Sequence, residues 1–118
     1  MRIGADYYPE HWDKERWKID AEMMVKANIK VIRIGEFAWS IYEPEEGKYE
    51  FDWMDEALDF FGKYGIKVVM CTPSATPPKW MVDKYPDILQ NDIHGNPKLF
   101  GTRKHYCFNS QTYREKTK

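Results

Sequence analysis

Two cysteines, Cys71 and Cys107, are all the chain has, too few for a disulfide scaffold and without the close pairing of a zinc knuckle. Net charge is nearly absent as well. The 18 Lys plus Arg face 19 Asp plus Glu for a formal charge of -1, which supplies no field to gather nucleic acid or an anionic membrane surface. Long apolar runs are missing: the longest is Val68-Val69-Met70-Cys71, against the roughly 20 residues that a membrane span needs. Met1 to Asp6 contains no apolar stretch of signal-peptide length, so the expected compartment is the cytoplasm. Low-complexity tracts are absent, and nothing repeats at a period of about 20 to 50 residues beyond an alternation of strand-like and helix-like segments.

What the chain does have is enough apolar material for a core. Of its 118 residues, 42% are apolar and 31% charged, a composition of globular rather than disordered or fibrous chains, and the length fits one domain at most. Aromatic residues are the excess, 16% of the chain with 5 Trp, 8 Tyr and 6 Phe. Where those rings fall decides the functional reading.

Arg2 to Tyr8 reads as a first strand, stopped by Pro9, which has no N–H to donate. A helix capped by Asp13 follows, with Glu15 in its first turn and Trp17, Ala21, Met24, Val25 and Asn28 on one stripe. Ile29 to Gly35 reads as a second strand. Residues 36 to 51, with Pro44, Gly47 and the glutamates at 43, 45 and 46, lose periodicity and form a connection too long for idle linkage. Asp52 is the expected cap of a second helix whose face is Met54, Ala57, Leu58 and Phe61 and whose stop is Gly65. Ile66 to Cys71 is the third strand, buried in character. A proline-rich connection runs to about Asn109, with a short helix from Pro78 to Lys84; Ser110 to Lys118 starts a helix with only Tyr113 as an apolar anchor.

Strand, helix, strand, helix, strand predicts parallel βαβ units. Three strands leave two raw sheet edges and the last helix does not complete its unit, so the chain reads as cut short. In parallel α/β folds, ligand sites gather where the strands' carboxyl ends run into loops. Those loops carry Tyr7, Tyr8, His11 and Trp12, then Glu36, Phe37, Trp39 and Tyr42, then Thr72, Trp80, Arg103, His105, Tyr106 and Asn109. The turns at the opposite end, near Asn28 and Gly65, are short and plain.

Rings and polar groups together suit a sugar, whose C–H face packs on an aromatic while its hydroxyls need fixed partners. For any single ring, loop packing is an equal alternative. Glu36 and Asp6, at strand ends, are expected to support a neighbouring arginine rather than to form a catalytic pair, because nothing in the sequence makes them face each other. Arg103, in a segment dense in donors and rings, would hold a sugar hydroxyl or orient a carboxylate; a surface arginine is the alternative. His11 and His105 read as packing or capping residues, and Cys71 as a small core residue.

Three segments carry a family likeness: Gly4-Ala5-Asp6-Tyr7-Tyr8-Pro9-Glu10-His11-Trp12, then Ile32 to Ser40 with Glu43 to Tyr49 and Phe51-Asp52-Trp53, then Thr72 to Trp80. Together they resemble the start of a glycoside hydrolase family 42 β-galactosidase. The resemblance implies that residues 1–118 are the N-terminal part, about three βα units, of an α/β fold of the (β/α)8 TIM-barrel type. It implies retaining hydrolysis of terminal β-D-galactosides through a covalent galactosyl-enzyme, with the acid/base and nucleophile glutamates beyond Lys118 and no activity in this piece alone. It matches Arg103 to the arginine that binds the sugar in the innermost subsite. It matches Cys107 to the first of four cysteines that bind structural zinc in some members, the other three lying downstream. No cofactor is required, and the full-length enzyme is expected to be a homo-oligomer, a trimer. Two readings stay open beside it: a non-catalytic carbohydrate-binding α/β module, and a barrel glycosidase for β-mannosides or β-glucosides.

Overall fold

A computed structural model describes residues 3–102 and 104–118. In chain order the regular elements are β1 (Ile3–Asp6), α1 (Lys14–Lys26), β2 (Ile29–Ile34), α2 (Trp39–Tyr42), α3 (Asp52–Lys63), β3 (Lys67–Met70), α4 (Lys79–Lys84) and α5 (Gln111–Lys116). Single 3-10 turns sit at Pro9–His11, Pro73–Ala75 and Pro86–Ile88. Each opens on a proline, whose fixed φ suits a first helical position that needs no N–H.

The chain divides into two compact units, residues 1–35 with 51–71 and residues 36–50 with 72–118. The first unit holds a three-stranded sheet in the order β1-β2-β3. Both pairings are parallel, with Ala5 opposite Ile32 and Ile32 opposite Val68. The βαβ expectation holds, since both crossovers contain a helix, and α1 lies against β2 and α3 against β3. Ile32 and Ile34 on the central strand are 0% and 1% exposed. Trp17, Ala21 and Met24 of α1 and Met54, Ala57 and Phe61 of α3 are buried with them. Phe61 meets Tyr7 edge-on at 5.3 Å between ring centroids.

Several expectations need correction. The first strand is shorter than Arg2 to Tyr8, although the Tyr7 N–H still reaches the Arg33 carbonyl at 3.0 Å; Arg2 lies outside the described residues. Val25 and Asn28 leave the buried stripe of α1: Val25 is exposed, and Asn28, past the end of the helix, turns out with φ 58°. Phe51, not Asp52, occupies the cap position of α3. Gly65 does stop that helix in the left-handed region, at φ 70°. The largest correction concerns β3, whose Val69 and Met70 are each half exposed. As an edge strand it has a sheet neighbour on one side only among the described residues, so a β-branched run that reads as buried is left open here.

Among its described residues the second unit has no sheet of its own. Its core is Trp39, Met81, Val82, Ile88, Tyr106 and Tyr113, with Trp80, Tyr85 and Leu89 packed against it. Isolated antiparallel bridges pair Leu89 with Tyr106 and Asn91 with Pro97. The anchor expected of Tyr113 is real: it is buried and stacks on Tyr106 at 4.5 Å. Its helix is capped by Ser110, whose hydroxyl accepts from the Tyr113 N–H at 3.2 Å. The long connection after β2 also contains a helix that loss of periodicity concealed, the single turn α2.

Candidate active-site rims

In the first unit the loop after β1 is tied back to α1. The Tyr7 hydroxyl donates to Asp20 Oδ2 at 2.9 Å, Arg16 Nε donates to Asp20 Oδ1 at 2.7 Å, and the Arg16 guanidinium lies 5.3 Å over the Trp12 ring. Burial and the Asp20 carboxylate push the Tyr7 phenol well above its ordinary range. These groups border a groove of about 470 Å³ that also takes in Met23 and Met24. His11 stacks on Tyr8 at 5.5 Å, a packing role as expected. Both carboxylate oxygens of Glu10 are buried without a hydrogen-bond partner among the described residues, and burial pushes its carboxyl above the usual range.

Asp6 plays the supporting part expected of it. Arg33 grips it with Nε at 2.8 Å and Nη2 at 3.1 Å, a two-pronged pair that holds the Asp6 carboxyl below its usual range. Arg33 also reaches Cys71 Sγ at 3.4 Å. Cys71 is therefore a half-exposed partner of a cation rather than the core residue expected, because β3 is an edge. Glu36 begins the second unit and is half-buried.

In the second unit the organising side chain is Glu43, 6% exposed. Its Oε2 accepts from the Trp39 indole at 2.8 Å and its Oε1 from the Gly47 N–H at 2.7 Å, while its backbone carbonyl accepts from the Trp80 indole at 2.8 Å. Trp39 and Trp80 are thus loop-packing rings, the alternative left open for each aromatic. The sequence showed an acidic cluster but not that one member is buried; the only hint was Trp39 four residues before Glu43, a spacing that one helical turn brings together. Glu46 gathers Lys84, Lys116 and the Tyr85 hydroxyl, which hold its carboxyl down to about 2.

Beside this scaffold lies a cavity of about 380 Å³ lined by Phe37, Ser40, Thr76, Pro77, Pro78, Phe100, Gly101, Thr102 and His105. Rings and prolines supply apolar faces, and three hydroxyls and an imidazole supply polar ones. Thr76 Oγ1 and His105 Nε2 are buried atoms with no hydrogen-bond partner among the described residues, each costing ~1–3 kcal/mol if nothing meets it. His105 is 1% exposed, with Nδ1 2.7 Å from the Thr102 carbonyl oxygen, the capping role read for it. Arg103, the expected sugar contact, lies outside the described residues. Cys107 is a free, half-buried thiol. Among the described residues no three His, Cys, Asp or Glu side chains are grouped to hold a metal, so Cys107 and its described neighbours do not by themselves make a zinc site. No helix among the described residues is long and apolar enough to cross a membrane.

This chemistry has close relatives. The family model for glycoside hydrolase family 42, described as beta-galactosidase, matches residues 6–118. A beta-galactosidase of Thermus thermophilus is 54% identical over 98% of the chain, and one of Haloferax lucentense 51% identical over 99%. The solved structure of a beta-galactosidase from Halorubrum lacusprofundi superposes with a TM-score of 0.93 at 49% identity over 99% of the chain, and the crystal structure of one from Bacillus circulans with 0.94 at 36% over 99%. The chain spans 18% of the length of those curated relatives and 17–18% of those solved chains. Its parallel sheet with crossover helices is the N-terminal part of their (β/α)8 barrel. The chain belongs to the glycoside hydrolase family 42 β-galactosidases.

Proposed function

We propose that residues 1–118 work as the first three or so βα units of a retaining β-galactosidase that removes terminal non-reducing β-D-galactose residues. The observation that carries this reading is the family match across residues 6–118. In such hydrolysis one carboxylate attacks the anomeric carbon while a carboxylic acid protonates the departing oxygen. Water activated by that second group then opens the glycosyl-enzyme, with the two carboxyls about 5 to 5.5 Å apart. The reading assigns both glutamates to the part of the relatives' length that this chain does not span. The contribution of these residues is binding and shape. Arg103 donates to a hydroxyl of the bound galactose, an interaction that strengthens as charge develops. The family resemblance also carries a homotrimeric assembly and a cytoplasmic setting. Cys107 would contribute a single thiolate to any structural zinc, which takes no part in the reaction.

Arg103→Ala in the full gene product tests this directly. Loss of about 100-fold in kcat/KM, ~3 kcal/mol of transition-state binding, with an unchanged unfolding temperature is the expected result. A lowered unfolding temperature with unchanged kinetics overturns the assignment.

A further inference from the structure

Thr102, Lys104 and His105 are held more firmly than the exposure of Thr102 and Lys104 requires. The Thr102 hydroxyl donates to the Leu99 carbonyl at 2.8 Å, and the Thr102 N–H reaches the same oxygen at 3.3 Å. Gly101 and Lys104 both take left-handed backbone, φ 85° and 54°, a conformation that a lysine adopts only where its surroundings impose it. The Gln90 N–H donates to the His105 carbonyl at 2.7 Å, and the Phe100 ring meets the imidazole edge-on at 5.6 Å. His105 closes the turn through Nδ1 and the Thr102 carbonyl.

A carbonyl oxygen only accepts, so Nδ1 carries the proton and Nε2 the lone pair. That lone pair is buried with nothing to meet it among the described residues. An apolar side chain of similar size would fill the position without a desolvated acceptor, so packing alone does not account for a histidine. The turn bond does. Phe100, Gly101 and Thr102 line the 380 Å³ cavity together with Phe37, Ser40 and Thr76, whose hydroxyl has no partner among the described residues.

We propose that this cavity receives a saccharide ring, packing its C–H face on the aromatic wall and its hydroxyls on Ser40 and Thr76, and that His105 is the positioning residue that holds the wall in place through its Nδ1–H bond to Thr102. The proposal rests on the β-galactosidase reading and adds to it the residues that shape the substrate's seat. The experiment compares His105→Asn and His105→Gln in the full gene product, by kinetics on a chromogenic β-D-galactoside, by unfolding temperature and by crystal structure. The Asn side-chain amide can sit where Nδ1 sits and keep the donor; the Gln amide is displaced by one bond and loses it. Asn is expected to stay within about threefold of the parent, while Gln raises KM at least tenfold with kcat changed less, at closely similar unfolding temperatures and with a displaced Thr102 carbonyl. Equal kinetics in the two variants, or losses that follow the unfolding temperature, overturn the positioning role while leaving the galactosidase reading intact. A parent enzyme that turns over no β-galactoside overturns that reading itself, and the saccharide seat with it.

Discussion

Glu43 is where a single side chain does most for the second unit. It is buried, and each carboxylate oxygen has its own N–H donor, the Trp39 indole and the Gly47 amide. Replacing it with alanine strands both donors in a site that water does not reach, so Glu43→Ala is expected to destabilise by about 3 kcal/mol. Glu43→Gln, which keeps one acceptor oxygen, should lose roughly half of that. Denaturant midpoints of the three proteins check the order; equal midpoints for Ala and Gln would mean that the carboxylate organises nothing. At this scale residue roles were unevenly legible. Asp6 was read correctly as the support of an arginine, because a carboxylate at a strand end beside an arginine-bearing strand has an obvious partner in register, and Asp6 is indeed paired opposite Arg33. Glu43 and Thr76 were not singled out as single residues, because burial is a property of how loops fold over and leaves no local pattern.

Among the elements, α4 and α5 of the second unit are pinned to the loop after β2 by Glu46, which meets Lys84, Lys116 and Tyr85. Its folded carboxyl is held at about 2, against an ordinary 4.5. A carboxyl depressed in the folded state adds stability that is fully present above the unfolded value and is lost as pH falls through the folded one. The protein should therefore lose stability between about pH 4.5 and about pH 2, and Glu46→Gln should flatten that slope in unfolding curves taken across the window. An identical slope in the variant would show that the lysines give Glu46 no protective role. Element types were largely legible: the two long helices and three parallel strands follow from periodicity, Gly65 and the crossover rule. What failed was local. The turn α2 has no periodic signal in four residues, and β3 reads as buried because its sequence answers to neighbours that the described residues do not include.

At the scale of the whole chain, the three parallel strands and two crossover helices among the described residues leave open edges and half-exposed Val69 and Met70. The relatives are more than five times as long, since the chain covers 18% of them. An isolated sheet of this kind is expected to exchange its amides quickly and to associate through its edges. Cooperative unfolding of a soluble monomer would instead favour a self-contained module. The family was legible from three long motifs in order, whereas the aromatic loops alone left β-glucosides and β-mannosides open, because a ring's face packs on any pyranose. Turnover of chromogenic β-D-galactoside, β-D-glucoside and β-D-mannoside by the full gene product, with the 118-residue chain assayed beside it, tests the central claim most directly. The account predicts a preference for the galactoside in the full product and no turnover by the chain alone; galactoside hydrolysis by the isolated chain that disappears in Glu36→Gln would contradict it.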